Sequence, residues 1–130
     1  MLNPINPTTG TALPEVESLT LAEAEDTIGQ AVAAAPAWAA MSYSERAKCL
    51  INIAADMRKS KDELAQLMAK EMGKPLREGL GEVEKSAFCA EYYADNGEAF
   101  LEPERLASDA TDSYVCHQPL GTVLGILPWN

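Results

Sequence analysis

Apolar residues recur at intervals of three and four positions through the middle of the chain, which is the period of an α-helix with one buried face. The pattern predicts four helices: one from Thr20 to about Ala35, one that begins after Ser42, one that ends at Gly73, and one that Pro75 opens. The fourth continues for about five turns, so we expect it to bury a long apolar face. That face comprises Leu76, Leu80, Val83, Ala87, Ala90 and Ala94.

The second and third helices carry shorter apolar faces. The face of the second consists of Ala47, Leu50, Ile51, Ala54 and Met57. The face of the third consists of Leu64, Leu67, Met68 and Met72.

A hydroxyl residue followed three positions later by glutamate marks the start of each of the first three helices. These pairs are Thr20 with Glu23, Ser42 with Glu45, and Ser60 with Glu63. Each fits the capping box, in which the hydroxyl and the carboxylate bond otherwise free backbone N–H groups. Pro36 is expected to interrupt the first helix, Gly73 to end the third in the left-handed conformation, and Pro75 to occupy the first turn of the fourth.

The two ends of the chain have extended rather than helical patterns. Residues 1–19 are rich in turn formers, notably Asn6–Gly10, and predict a loose hairpin or arm, to which Thr11–Leu13 adds a strand. Near the other end, Ser113–Gln118 suits an extended strand. Thr122–Leu127 is apolar without alternation, as in a strand buried on both faces of a parallel sheet.

Charge and cysteine usage limit the class of protein. The net charge is −10, and all ten basic residues lie between Arg46 and Arg105, so the composition argues against nucleic-acid and anionic-membrane partners. Cys49, Cys89 and Cys116 show no C-x-x-C spacing, and with His117 alone they predict no metal site. Such cysteines are typical of a reducing compartment. No signal peptide or membrane span is visible, so we expect a soluble, cytoplasmic protein.

Two short motifs are candidates for chemistry. Gly79-Leu80-Gly81 begins like a dinucleotide fingerprint, but it lacks the third glycine and lies inside a helix, so close helix packing is the better interpretation. Leu127-Pro128-Trp129-Asn130 follows the apolar run, and ligands of open parallel sheets bind beyond the carboxyl ends of strands. There Asn130 could donate an amide N–H to a developing oxyanion, or it could be an ordinary loop asparagine.

Several motifs together resemble the aldehyde dehydrogenase superfamily. They are Asn6-Pro7-Thr8-Thr9-Gly10 (N-P-x-T-G), Ala37-Trp38 with Ser44-Glu45-Arg46 (A-W…x-E-R), Glu71-Met72-Gly73-Lys74-Pro75 (E-x-G-K-P), Glu82-Val83 (E-V), Gln118-Pro119-Leu120-Gly121 (P-x-G) and Pro128-Trp129-Asn130 (P-W-N). They occur in the family's order over essentially the whole chain. Further stretches resemble the bacterial succinate-semialdehyde dehydrogenases, namely Met72, Glu82–Lys85, Tyr92-Tyr93-Ala94 and Ser113-Tyr114-Val115.

The resemblance implies an α/β parent fold, of which this segment is mostly α-helical with an N-terminal hairpin or arm and C-terminal strands. Residues 1–105 would belong to the coenzyme-binding domain, 106–120 to an oligomerisation arm centred on Tyr114–Gln118, and 121–130 to the first strand of the nucleotide-binding sheet. A homo-oligomer is therefore expected.

The family oxidises an aldehyde through a cysteine thiohemiacetal, passes hydride to NAD or NADP, and hydrolyses the thioester. By resemblance, Asn130 is the side-chain donor of the oxyanion hole. Leu127, Pro128, Trp129 and Asn130 would line the nicotinamide side of the cofactor site. The substrate would be succinate semialdehyde or a similar small aldehyde.

The resemblance also predicts what the chain lacks. The family's nucleophilic cysteine and glutamate base fall beyond residue 130, and none of Cys49, Cys89 and Cys116 matches the nucleophile's motif. We therefore expect a fragment that is inactive alone. The alternative is a standalone, non-enzymatic helical module that assembles through an exposed strand. The aldehyde, the choice between NAD and NADP, and the oligomer count stay open.

Overall fold

The computed structural model describes residues 1–127, which form four α-helices followed by one pair of short strands. The helices are α1 (Leu21–Ala40), α2 (Tyr43–Lys59), α3 (Lys61–Met72) and α4 (Leu76–Phe100), and the strands are β1 (Glu104–Arg105) and β2 (Tyr114–Val115). The prediction of a mostly helical segment is therefore confirmed. Over this described range, no helix has the length and apolar character needed to cross a bilayer.

Two of the three predicted capping boxes form. At the start of α1, the Glu23 N–H donates to the Thr20 hydroxyl at 3.3 Å and the Thr20 N–H donates to the Glu23 carboxylate at 2.7 Å. Ser42 and Glu45 make the same two bonds at the start of α2, at 3.3 and 2.8 Å. These bonds favour the charged carboxylates. The Thr20 N–H chiefly lowers the pKa of Glu23, and the Ser42 hydroxyl chiefly lowers the pKa of Glu45.

The third predicted capping box, at Ser60, is wrong. Ser60 makes no side-chain cap bond, and its backbone has φ −97° and ψ 16° instead of the extended conformation of a capping residue. The reason is that α2 and α3 meet at this residue without a linker. The Ser60 N–H donates to the Asp56 carbonyl at 3.0 Å and so closes α2. It is therefore already used and does not bond the Glu63 carboxylate.

The predicted end of the first helix near Ala35 is also wrong, because α1 continues through Pro36 to Ala40. A proline in a helix lacks the N–H that would bond the carbonyl four residues earlier, here that of Val32. Val32 is 56% exposed and α1 buries no residue, so this carbonyl lies outside the protein core, where an unbonded polar group would be most costly. The helix ends instead where the Met41 N–H donates to the Trp38 carbonyl at 3.2 Å.

The junction between α3 and α4 forms nearly as predicted. Gly73 ends α3 with φ 77°, in the left-handed conformation, and its N–H donates to the Ala69 carbonyl at 3.1 Å. Pro75 precedes the first residue of α4 instead of lying in its first turn. Its carbonyl accepts from the Gly79 N–H at 3.0 Å, so it still opens the helix.

Small residues form the core where α4 packs against α2 and α3. The buried hydrophobic residues of the described range are Ala54 of α2, Ala65 of α3, and Val83 and Ala87 of α4. The predicted apolar face of α4 is thus confirmed at its centre, whereas Leu76 at its start is 48% exposed. The helix α1 contributes no buried residue.

The prediction that the α4 glycines permit close packing holds for one of them. A Cβ built on Gly79 would lie 3.2 Å from the Ala65 Cα, whereas one built on Gly81 would meet nothing within 4 Å. The contact at Gly79 therefore brings the backbones of α3 and α4 close together.

The first residues form the predicted loose hairpin, but the strand expected over 11–13 is only an isolated bridge at Ala12. Leu2 pairs with Val16 and Ile5 pairs with Ala12 as two antiparallel bridges. The turn between them includes Asn6, whose side-chain oxygen accepts from the Thr8 N–H at 2.9 Å.

The extended segments after α4 are shorter than predicted. The strand expected over 113–118 is present only as β2, which pairs antiparallel with β1. The strand expected over 122–127 does not form, and Leu124 and Ile126 are 79% and 87% exposed. A strand buried on both faces needs strands beside it and helices over it, and residues 1–127 place neither around this segment. The division at residues 105 and 120 stays a prediction.

The close contact at Gly79 generates a stability prediction. Replacement of either Gly79 or Gly81 by alanine gains about 0.5–1 kcal/mol of helix propensity. The added Cβ at Gly79 meets Ala65 backbone atoms at 3.2–3.3 Å, while the one at Gly81 is unobstructed. We expect Gly81→Ala to raise the free energy of unfolding by about the propensity gain and Gly79→Val to lower it by about 1–3 kcal/mol.

Urea denaturation followed by circular dichroism measures both changes. Gly79→Ala should be less stable than Gly81→Ala, its matched control. Equal stability of the two alanine variants would show that α3 does not constrain the residue at position 79.

Candidate functional site

Of the four residues predicted to form a site at the end of the chain, the structure describes only Leu127. Leu127 lies in a segment without regular secondary structure and is 90% exposed. Pro128, Trp129 and Asn130 lie outside the described residues. Their roles, as the oxyanion donor and the nicotinamide-side wall, therefore stay predictions.

The three cysteines are placed on different elements. Cys49 on α2 is half-buried, while Cys89 on α4 and Cys116 after β2 are exposed, and all three are free thiols. Residues 1–127 contain no group of three His, Cys, Asp or Glu side chains that could hold a metal ion.

Several residues of the quoted motifs converge on one open groove of about 500 Å³. One wall comes from the α1–α2 junction and includes Trp38, Tyr43 and Arg46, and the other is the segment His117–Gly121. The A-W, x-E-R and P-x-G motifs, far apart in sequence, are therefore neighbours in the fold. Motif spacing alone could not show this, because the contact depends on how the chain returns after α4.

Arg46 is the one Lys or Arg side chain among the described residues that line the groove, and it already contacts an aromatic ring. The Arg46 guanidinium lies 4.7 Å from the centre of the Tyr43 ring, within the range of a cation–π contact. The two residues are three positions apart on α2, so the helix itself sets this geometry. Arg46 thus helps to order the wall of the groove.

Two further motifs are joined by an ion pair. Lys74 of the E-x-G-K-P junction pairs with Glu82 of the E-V motif on α4. The Lys74 side chain is only 13% exposed. The lysine precedes α4 and the glutamate lies in its second turn, so the pair fixes the junction to the helix.

The largest charged cluster was not predicted from the sequence. Arg58 at the end of α2 donates to Glu84 at 2.8 Å and to both carboxylate oxygens of Glu91, with one of these bonds at 2.8 Å. Lys61 of α3 donates to Glu84 at 3.1 Å. The cluster therefore joins three helices. The one sequence signal was that Glu84 and Glu91 lie two turns apart on α4, and hence on the same face.

The cluster is suited to holding helices and not to proton transfer. The Arg58 guanidinium holds the pKa of both Glu84 and Glu91 below the ordinary carboxyl value, and Lys61 lowers that of Glu84 further. The bond to Glu91, followed by that to Glu84, raises the pKa of Arg58. All three groups stay charged at neutral pH, so neither carboxylate is available as a general acid.

Replacement of Arg58 by methionine is expected to destabilise the chain at neutral pH and to weaken its response to acid. The folded-state pKa values of Glu84 and Glu91 lie below the ordinary 4.5. Their contribution to stability is therefore full above that value and is lost as the pH falls through the lower folded values. Replacement of Arg58 removes the main cause of the lowered pKa values of Glu84 and Glu91.

Urea midpoints at about pH 7, 4.5 and 3 measure this effect. The exposed Lys59→Met is the control, because it removes the same charge one residue away. We expect the stability of Arg58→Met to fall less from pH 4.5 to pH 3 than that of Lys59→Met. An equal loss of stability in the two variants between pH 4.5 and pH 3 would contradict the assigned role of Arg58.

Comparison with known protein sequences gives one consistent family. A profile described as "Aldehyde dehydrogenase family" matches residues 1–130. The chain is 40% identical over 126 residues to the NADP(+) succinate-semialdehyde dehydrogenase of Deinococcus radiodurans, covering 97% of this chain and 26% of that protein. It is 34% identical over 126 residues to the NAD(P)+ succinate semialdehyde dehydrogenase Sad of Escherichia coli K12, covering 97% and 27%. The chain thus spans about a quarter of the length of these relatives.

Comparison with solved structures agrees. The crystal structure of succinic semialdehyde dehydrogenase from Streptococcus pyogenes in complex with NADP+ superposes with a TM-score of 0.81 at 30% identity, covering 88% of this chain and 25% of that one. A structure of Gox0499, described in terms of its cofactor and substrate selection, gives a TM-score of 0.86 at 29% identity, covering 91% and 26%.

Proposed function

Because this chain belongs to the aldehyde dehydrogenase family, we propose that it forms the N-terminal helical part of an NAD(P)-dependent enzyme. The enzyme would oxidise succinate semialdehyde, or a similar small aldehyde, to the carboxylic acid. The observation that carries the proposal is the match over residues 1–130, together with 40% identity to a succinate-semialdehyde dehydrogenase. The family and the parent fold expected from the motifs are confirmed.

In this proposal the residues at the end of the chain take part in the chemistry. The Asn130 side chain donates its N–H to the oxygen on which negative charge develops when the aldehyde is attacked. Leu127, Pro128, Trp129 and Asn130 line the nicotinamide side of the cofactor site, and NAD or NADP, when bound, supplies the hydride acceptor. Leu127 fits this role because its apolar side chain is 90% exposed and free to pack on a planar ring.

We propose that the 130 residues alone neither oxidise aldehydes nor hold the cofactor firmly. Cys49, Cys89 and Cys116 lie on separate elements, and none matches the family's nucleophile motif. The chain also spans only 26% of the Deinococcus relative, so most of that protein's length has no counterpart here.

We further propose a cytoplasmic homo-oligomer that binds a small aldehyde and neither nucleic acid nor membrane. Support for the compartment comes from the three free thiols. Support for the choice of partners comes from the net charge of −10. The short pair β1–β2 has exposed residues at every position, which is compatible with an arm that reaches a neighbouring subunit.

A hybrid enzyme tests the proposed activity and the role of Asn130 together. Residues 1–130 joined to the remaining sequence of the Deinococcus relative should oxidise succinate semialdehyde, measured as NADPH formation. In that hybrid, Asn130→Ala should lower kcat by about 100- to 1000-fold, the usual effect of losing one oxyanion donor. Because the donor acts mainly as charge develops, kcat should fall more than substrate affinity.

The controls separate the outcomes of this assay. Asn3→Ala, at an exposed position in the hairpin, should leave the activity of the hybrid unchanged. The 130-residue chain alone should form no NADPH. An inactive but folded hybrid would argue against the proposed activity. A fall of less than about threefold in Asn130→Ala, with the Tm unchanged, would make Asn130 an ordinary loop residue.

A second candidate function is a helical interaction module, and one observation favours it. The segment Leu120–Leu127 is apolar and highly exposed, with Leu120 at 93% and Ile126 at 87%. Contiguous apolar surface of this kind commonly marks a protein–protein contact. In this alternative the chain has no enzymatic role and assembles through that segment.

The exposed segment predicts self-association of the 130-residue chain. The net charge of −10 makes copies of the chain repel one another. Salt screens this repulsion, because the Debye length falls to about 8 Å at physiological ionic strength. Association measured by light scattering should therefore rise with ionic strength and fall when Leu124 and Ile126 are both replaced by lysine. The matched control places two lysines at Ile28 and Val32, which are 53% and 56% exposed on α1. A monomer at every salt concentration would exclude assembly through this segment.

A further inference from the structure

The turn of the N-terminal hairpin lies against the junction between α3 and α4. A Cβ built on Gly73 would stand 3.1 Å from the Pro7 Cγ and 3.6 Å from the Thr8 hydroxyl oxygen. The first distance is shorter than ordinary van der Waals contact, so the hairpin occupies the space that a side chain at position 73 would need. The N-P-x-T-G and E-x-G-K-P motifs therefore meet at this point.

The hairpin presents Pro7 in a fixed position. The Asn6 side-chain oxygen accepts from the Thr8 N–H at 2.9 Å and from the Thr9 N–H at 3.3 Å. The Gly10 N–H closes the turn by donating to the Asn6 carbonyl at 2.8 Å. These bonds, together with the rigid proline ring, order the turn locally.

The surface that receives the turn is fixed as well. The backbone of Gly73 has φ 77° and so adopts the left-handed conformation at the end of α3. The next residue, Lys74, is 13% exposed in its side chain and is paired with Glu82 of α4. The junction is therefore tied to the helical core on one side and contacts the hairpin on the other.

The rest of the hairpin is held much more weakly than the helices. It contains two isolated bridges, and each of residues 1–19 is exposed or half-buried. Segments with few buried contacts open locally at a smaller free-energy cost than the core. The approach of Pro7 to Gly73 places this weakly held segment against the α3–α4 junction.

We propose that the N-terminal hairpin is a strap that opens and closes independently of the helices, and that the seat formed by Pro7 against Gly73 holds it closed. Position 73 then has two requirements. It must adopt a left-handed backbone to end α3, and it must carry no side chain so that the strap can seat. This proposal concerns the hairpin alone and does not depend on the catalytic function.

Amide hydrogen exchange in the 130-residue chain tests the strap. The readouts are the N–H groups of Leu13 and Val16, each bonded across the hairpin at 2.9 Å, with the buried core residue Ala87 as internal reference. Asparagine tolerates the left-handed conformation, so Gly73→Asn keeps the cap but fills the seat. Gly121→Asn is the matched control, because Gly121 has φ 90° and nothing within 4 Å of its added Cβ.

We expect Gly73→Asn to accelerate exchange at Leu13 and Val16 about tenfold while Ala87 changes less than about twofold. Gly121→Asn should leave all three unchanged. Pro7→Ala removes the proline ring that lies against Gly73 without altering the helices. It should accelerate exchange at Leu13 and Val16 to a similar extent. Because both variants break one contact, the double variant should exchange no faster than the faster single variant.

Three results would overturn the proposal. One is equal hairpin exchange in Gly73→Asn and Gly121→Asn. Another is acceleration in the double variant equal to the product of the two single effects. The third is unchanged exchange in Pro7→Ala. This result would overturn the proposal even if Gly73→Asn did not fold.

Discussion

The helix α4 packs against both α2 and α3, and this close packing sets the arrangement of the other elements. Helices approach closely only where the facing side chains are small, and here these are Ala54, Ala65, Ala87 and Gly79. Such a contact encloses little apolar volume, so larger side chains stay at its margins. The Arg58 cluster spans the same three helices at the edge of this contact and adds charge-assisted bonds where apolar burial is limited.

The small core leaves much apolar surface in contact with solvent. Phe88 on α4 is 63% exposed, α1 buries no residue, and residues 122–127 are all exposed. Surface of this kind is typical of a region that packs against further protein. This agrees with the proposed role as one part of a dehydrogenase whose relatives are about four times as long.

The family motifs in the described range act as contacts between elements. Lys74 pairs with Glu82, Trp38 and Pro119 line one groove, and Pro7 lies against Gly73. Motifs that are distant in sequence thus become pairs in space. Chemistry is proposed only for the P-W-N motif, so the other motifs would secure the scaffold that positions it.

Features whose partners lie three or four residues apart could be predicted from the sequence alone. The capping boxes at Thr20 and Ser42 and the left-handed end at Gly73 depend on such local bonds, and the family followed from ordered motifs. Features that depend on distant or competing partners emerge only when the chain folds. Ser60 gives its N–H to α2, and Arg58 reaches carboxylates 26 and 33 residues away. Residues 122–127 have the composition of a buried strand but form none, because a strand exists only when another pairs with it.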